Sequence, residues 1–585
     1  MRRGGNRKMA NDTVVLLVLL SLLCYISFNF PEPSIYFNDL QPQAIQHLYE
    51  DSSLPSLFSY SGAGNDKSWN PLALDVRCKL ERFHKSSLEK QINRLAAVKN
   101  SNIIGAVLPS DVVLVRPSSD GPILAAITAY TWRVTKKWPD RYYELPIYKV
   151  IDRDDDTYWD YLVDELLLSR VNVVLMHGRG CWDLVSGTAG TGDLCPRILS
   201  NLVRAVKRVN AEDVLRFGMW DDTGAYNKAL EYVESLDDTP RFDISNRTNW
   251  HYFWDRNIKI WFDTIPQEWW FLMDEKPIVA SWTLSDYFFS NQEGNASALL
   301  RWIKLQFATR YGIEPSFILD QKWFETDSTI TSDDAVGKNG WFIPQFHKTH
   351  SYVEYNGATW GAVAPSFRDA NTLPGCGDSC REVTRRNGAT LIDALNQGMS
   401  AKLILLEGWT DMAESAGYYR SDNWTYPNQY INIVRRYADP QPKTLRFQAE
   451  SADILLTKSI DNPFRRGDFD IQPLDDGTGW FVRFTDAGEW LQYQEIQLGC
   501  GTYRFTARVA TTFHDKTLRL DLDGLHNVKV PVSSNWQDFN LVHLGEIDLL
   551  GGLYDLRIVS ETGGINIDWF FVKRIDEEID ALATS

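Results

Sequence analysis

The stretch "VLRFGMWDDTGAY", Val214 to Tyr226, runs from an apolar, strand-like segment into two adjacent aspartates and a Thr-Gly turn. Neighbouring carboxylates repel, so Asp221 and Asp222 need a reason to stand together: catalysis, metal ligation or a turn. Successive side chains of a strand point to opposite faces, so both cannot serve one site unless the strand has already turned. One is expected to face a pocket, with Asp222 the first choice, while the other holds the loop or helix that follows Thr223-Gly224.

The same pattern recurs on both sides. Between about 122 and 438 the apolar runs "ILAAITAYTW", "VNVVLMHGRG", "KPIVASWTLSD", "PSFILDQKWFE", "ATWGAVAPSFRD" and "AKLILLEGWTD" alternate with helical segments such as "DTYWDYLVDELLLSR", "CPRILSNLVRAVKRVN" and "NASALLRWIKLQFATRYG". Strands alternating with helices predict parallel pairing through crossovers. Over this length a (β/α)₈-type barrel at 121–440 is the best architecture. A doubly wound sheet is the alternative, but no G-x-G-x-x-G follows the first strand. The runs end in His177 and Arg179, Asp221 and Asp222, Asp286, Asp320 and Lys322, Arg368 and Asp369, then Glu407 and Trp409. Barrel active sites lie at the C-terminal strand ends, so these polar ends point to one site.

After "ADPQPK" the pattern changes to short alternating strands ("GWFVRF", "GEWLQYQEI", "GTYRFTARVA", "LRLDLDG", "YDLRIV", "INIDWFFVK"), which predict a β-sandwich, jelly-roll-like, at 445–575. The fold class is therefore α/β plus all-β. Residues 31–120 are turn-rich and read as a stem or N-terminal elaboration.

At the N-terminus, Arg2, Arg3, Arg7 and Lys8 precede an apolar run from Val14 to about Phe28. Residues 1–30 read as an uncleaved signal-anchor, or else a cleaved signal peptide, so the rest is membrane-anchored with extracytoplasmic domains, or secreted. The triplets at Asn246, Asn295 and Asn423 fit the N-glycosylation pattern. Cys181 with Cys195, and Cys376 with Cys380, have the spacing of local disulfides in an exported chain, leaving Cys78 and Cys500 over. Zinc is the rival at Cys376 and Cys380, but nothing completes its ligand set. A formal net charge of -17, with no long basic run after the first residues, argues against a nucleic-acid partner. The chain holds 22 Trp and 25 Tyr, rings that either stack on sugars or fill cores.

"FQAESA", "FTDAGEWLQYQ", "GTYRFTARVA", "NWQDF" and "INIDWFFVK" occur in the order found in family 6 and family 35 carbohydrate-binding modules. The resemblance covers nearly all of 445–575. It implies a β-sandwich with a structural Ca²⁺ near Gln448, Glu450 and Asp568, an all-oxygen set. It also implies a sugar cleft between Phe484 and Trp536 with Asn566 as polar contact, and core positions for Trp490 and Trp569. The segment "LILLEGWTDMAESAGYYRSDNWTYPNQYINIVRRY", together with "APSFRD", is similar to the ends of glycoside-hydrolase barrels of families 99 and 71. The chain also resembles an uncharacterised barrel family, number 5010 among domains of unknown function.

Glycoside hydrolysis uses two carboxyl groups, one protonated and one ionised. Asp222 and Glu407 are the first choices, followed by Asp320, with Asp221 and Glu414 as further candidates. Trp220, Trp282, Trp323 and Trp409 would wall the sugar site. No catalytic cofactor is expected. The sequence points to an exported glycoside-hydrolase-like protein acting on a polysaccharide or glycan. Its rival is a carbohydrate-binding or wall-associated protein with an inactive barrel.

Overall fold

The computed structural model describes residues 121–128, 144–148, 156–178, 194–223, 241–340, 348–368, 380–439, 442–456, 470–475, 479–483, 485–522 and 525–575. The expected N-terminal segment and stem lie outside the described residues. So do Arg179, Cys181, Asp369, Cys376 and Phe484.

The first layer of the fold is a sheet of short, almost wholly buried strands: β1 (Ile123–Thr128), β2 (Val173–Gly178), β3 (Arg216–Asp221), β4 (Lys276–Ser281), β5 (Ser316–Asp320), β6 (Gly337–Asn339), β7 (His350–Tyr355), β8 (Ala358–Val363) and β9 (Leu403–Leu406). Parallel ladders join β8, β9, β1, β2, β3, β4, β5 and β6 in that order, and β7 hangs from β8 as an antiparallel hairpin arm. Such a continuous parallel order needs crossovers on the outside. They are supplied by α1 (Asp156–Ser169), α2 (Leu194–Arg208), α3 (Arg247–Phe253), α4 (Lys259–Thr264), α5 (Asn295–Tyr311), α6 (Gln321–Thr326) and α7 (Ala389–Gln397), and α8 (Gln429–Ala438) follows β9. Each of the seven apolar runs is a strand. The sheet curls until β6 comes back beside β8. A Cβ on Gly337 would meet the Trp360 ring at 2.7 Å, so only glycine fits where that indole fills the interior. The result is a nearly closed barrel.

Alternation splits its side chains into two cores. Ala125, Leu175, Trp220, Ala280, Ile318, Ala362 and Leu405 belong to the inner cluster. Leu124, Met176, Met219, Val279, Leu319, Val363 and Leu406 belong to the cluster under the helices.

The C-terminal region is a curled antiparallel sheet made of β10 (Thr444–Gln448), β11 (Ile454–Leu456), β12 (Ile471–Pro473), β13 (Trp480–Val482), β14 (Glu489–Ala510), β15 (Lys516–Asp521), β16 (Leu525–Val530), β17 (Asn540–Ser560) and β18 (Asn566–Arg574). They run in the order β12-β13-β18-β14-β17-β15-β16, with β10 added to β18 and β11 to β14. The packed rings of Phe447, Tyr493, Phe505 and Phe570 fill the curl, with centroids 4.8 to 6.1 Å apart. The ladder between β14 and β17 slips at Gln494–Glu495, where Glu495 takes φ 49°. This bulge pushes two residues out towards α8. Asn432 Nδ2 donates to the Gln494 carbonyl at 2.7 Å, while Tyr426 Oη and Arg436 both reach the Glu495 carboxylate. Barrel and module belong to one compact unit.

Cys380 and Cys500 are each disulfide-bonded. Cys500 is therefore not the leftover thiol that pairing by sequence proximity suggests. Asn246 and Asn423 are exposed, whereas Asn295 opens α5 and spends its amide on the carbonyls of Asn291 and Glu293. No helix among the described residues is long and apolar enough to cross a membrane.

Candidate active site

The inner rows of side chains continue past the last ladder pairs, because main-chain bonds persist there: Asp222 N donates to Gly178 O (2.8 Å), Trp282 N to Asp221 O (2.9 Å) and Glu407 N to Val363 O (2.8 Å). Two residues beyond inner Leu175, Trp220, Ala280, Ile318 and Leu405 stand His177, Asp222, Trp282, Asp320 and Glu407. All five gather at the C-terminal end of the barrel, and all but Trp282 are buried.

Asp221 is in the opposite phase. It follows the helix-side rank of Phe217 and Met219 and accepts from Asn257 Nδ2 at 2.6 Å. Asn257 sits on a π-helical turn, Trp254–Ile258, between α3 and α4. Asp222 instead meets His177, Oδ2 to Nε2, at 3.0 Å. Asp320 caps α6 by accepting from Lys322 N at 2.9 Å. Glu407 is fully buried beside Tyr418, whose hydroxyl is pushed well above its ordinary value by burial and then by the Glu407 charge. Gly408 follows at φ 70°, where a Cβ would crowd Ala416, and turns the chain out of the strand. Glu414 lies half-buried beyond that turn, its N–H held by Asp411 at 2.9 Å and its carbonyl accepting from Arg368 N at 2.8 Å. Asp286 is exposed at the rim and accepts from Gln292.

A stacking wall needs an open ring face, which corrects part of the expected set. Trp409 is fully buried and lies flat on Tyr418, centroids 5.1 Å apart at 9°. Trp323 is packed away with its indole N–H on the Trp282 carbonyl. Trp220 is buried in the barrel interior, so Trp282 alone of the four is partly open. The sequence reading missed Asn339 on β6, because a three-residue strand with one glycine carries no apolar run.

In the module, Asn566 is buried and donates from Nδ2 to the Trp536 carbonyl at 2.7 Å, and half-buried Trp536 meets the ring of Phe513 edge-on at 5.3 Å. Phe513 is exposed, and its "TTFHDKT" loop gave no signal beyond one apolar residue among polar ones. Trp569 is core, as expected. Trp490 is not: it is half-buried, with the Arg557 guanidinium 4.3 Å above its ring.

Gln448 ends β10 opposite Trp569, one residue along β18 from Asp568, and the Asp568 charge acts on Glu450. Gln448 Oε1 is buried with no hydrogen-bond donor. Glu450 is pushed well above the carboxylate range by burial, then by the charges of Asp164 and Asp568. An oxygen-rich site that disfavours its own negative charge fits a hard cation, although Asp568 is also held by Arg508.

Residues 127–454 match the family model described as a domain of unknown function (DUF5010). Residues 465–572 match the carbohydrate binding module (family 35). Among solved structures, the C-terminal family 6 module of a laminarinase from the marine bacterium Zobellia galactanivorans is 25% identical. It covers 22% of this chain and 99% of its own, at a TM-score of 0.19. A family 6 module from Clostridium stercorarium, in complex with cellobiose, is 23% identical over 22% and 92% of the two chains, at 0.18. The family 99 endo-α-mannosidase from Bacteroides thetaiotaomicron is 13% identical over 49% of this chain and 85% of its own, at 0.32. No curated protein matches the chain.

Proposed function

This chain belongs to the family described as a domain of unknown function (DUF5010), and we propose that its barrel is a (β/α)₈-type glycoside hydrolase acting on a polysaccharide or glycan held by the C-terminal module. The observation that carries this reading is the convergence of Asp222, Asp320 and Glu407 on the inner face at the C-terminal strand ends. Asp222 and Glu407 form the working pair. The protonated one gives its proton to the leaving glycosidic oxygen, and the ionised one attacks the anomeric carbon or activates water. His177 fixes the Asp222 carboxylate by the 3.0 Å contact. Trp282 offers its partly open face to a sugar ring.

The apolar N-terminal run and the glycosylation triplets support delivery outside the cytosol, anchored or secreted. Ca²⁺ is proposed at Gln448, Glu450 and Asp568. There it would hold β10 against β18, and removal by chelator should lower the melting temperature of the wild type but not of Glu450→Gln.

The purified protein, offered α- and β-glucans and mannans, should release reducing sugar and lose that activity on Asp222→Asn or Glu407→Gln. Polysaccharide retention with no product from any member of the panel would overturn the hydrolase reading in favour of a binding protein.

A further inference from the structure

Among the described residues, two buried polar side chains at the barrel mouth, Asn339 and Thr349, stand without hydrogen-bond partners. Asn339 is fully buried, and neither its Oδ1 nor its Nδ2 has a hydrogen-bond partner; Thr349 is 1% exposed and its Oγ1 has none. Register fixes the direction of Asn339. The β5–β6 ladder pairs Ile318 with Gly337 and Asp320 with Asn339, and Ile318 belongs to the inner cluster. Partners in a parallel ladder share a face, so Asn339 points inward beside Asp320. Thr349 follows from the other side. Ala362 is inner and pairs with Ser351, and the ladder continues by Ala364 N to Thr349 O at 2.7 Å. Thr349 thus lies two residues before Ser351 on the same face. The two strands meet at this seam, because a Cβ on Gly340 would collide with the Ser351 hydroxyl.

From these positions we propose that Asn339 and Thr349 form a hydrogen-bonding seam for adjacent hydroxyls of a neutral sugar, an inference that rests on the hydrolase reading above. A carboxamide presents one donor and one acceptor side by side, which matches a vicinal diol, and the threonine hydroxyl adds a group that can do either. Neither carries charge, and the neighbouring Asp320 repels anions, so the seam selects neutral hexoses over uronic acids or sulfated sugars. A buried amide without partners destabilises a fold, so an apolar residue at Asn339 would suit stability better. Its polarity is matched to a ligand.

Calorimetric titration of the full chain carrying Glu407→Gln with laminaritetraose, cellotetraose, mannotetraose and tetragalacturonate tests this, run beside the same chain with Asn339→Leu or Thr349→Val added. Binding of at least one neutral tetrasaccharide should weaken about tenfold or more on Asn339→Leu and severalfold on Thr349→Val. The melting temperature should stay or rise. Unchanged affinity with a lowered melting temperature would give both residues a structural role and overturn the inference. Tighter binding of tetragalacturonate than of any neutral sugar would overturn the substrate class. Wild-type hydrolysis whose kcat/KM is untouched by Asn339→Leu would remove the seam alone, whereas no binding and no hydrolysis on any sugar would remove the hydrolase reading with it.

Discussion

The barrel mouth and the junction between barrel and module both bury carboxylates, and they treat them in opposite ways. At the junction the carboxylates are paired with a buried cation of the chain itself. Arg420 is fully buried: its N–H donates to Glu165 Oε1 at 2.9 Å, its Nε to Asn428 Oδ1 at 3.0 Å, and its Nη2 binds Asp164. Asn428 passes the network on to Asp453 and the Ser451 carbonyl, and Asp453 takes the Gln494 N–H from the bulge of β14. At the mouth, Asn339 and Thr349 have no such partners, and Asp222, Asp320 and Glu407 face inward together. Burial of acids therefore does not mark a site. What distinguishes the mouth is that its polar groups share one inner face at the C-terminal strand ends, whereas the junction's carboxylates Asp164 and Glu165 are turned to the buried Arg420.

The sharpest way to break this contrast is to neutralise one acid in each place. Glu407→Gln keeps the side-chain volume and, on the proposed hydrolase reading, should lower hydrolysis by ~10³-fold or more while leaving thermal stability nearly unchanged, because that reading has its carboxyl act in the transition state. Loss of stability without loss of rate would put Glu407 in the junction's class. Arg420→Ala should do the reverse. It strands Asp164 and Glu165 without their cation and should destabilise by roughly 3–5 kcal/mol, seen as a lower denaturation midpoint for barrel and module together.

Glu165 sharpens the comparison through pH. Burial raises its pKa from 4.5 to about 7, against the lowering effects of Arg420 and the Trp409 indole. The folded state thus holds a proton that the unfolded state has lost between these values. Stability from this group is fully present below about 4.5 and is lost as pH rises through about 7. Glu165→Gln should flatten that slope and leave the protein more stable than wild type above pH 7 by at most ~3 kcal/mol. A wild-type denaturation midpoint that is level across this window would remove Glu165 as a titrating group.

The two regions also differ in how far the sequence reveals them. The mouth is legible because its groups end apolar runs at matching places, and alternation separates Asp222 from Asp221 without coordinates. The junction is hidden, since it joins residues near 164, 420, 450 and 494 that share no spacing or motif. The strand carrying Asn339 is hidden for a different reason: the interior beside Gly337 is filled by Trp360 from another strand, so β6 needs no apolar residues of its own. Disulfides fail in the same way. Cys500 pairs in space, and counting nearby cysteines left it over. Aromatic residues were over-read, because a tryptophan at a strand end looks alike whether it lies open, as Trp282 partly does, or flat on Tyr418, as Trp409 does.

The module supplies the smallest effect and a third state between the two regions. Asn566 is held by the Trp536 carbonyl, so the polar contact is satisfied within the chain, while Trp536 and Phe513 keep part of their ring area open. Recognition here should rest on stacking more than on hydrogen bonds. Trp536→Ala should weaken retention on insoluble polysaccharide by about 10–100-fold, worth ~1–3 kcal/mol, with no change in hydrolysis of short soluble oligosaccharides. Phe513→Ala should weaken it less, because this ring meets Trp536 by its edge and orients it. If Phe513→Ala proves the more damaging of the two, the open phenylalanine is itself the sugar platform, and the loop that carries it, rather than Trp536, sets what the module holds.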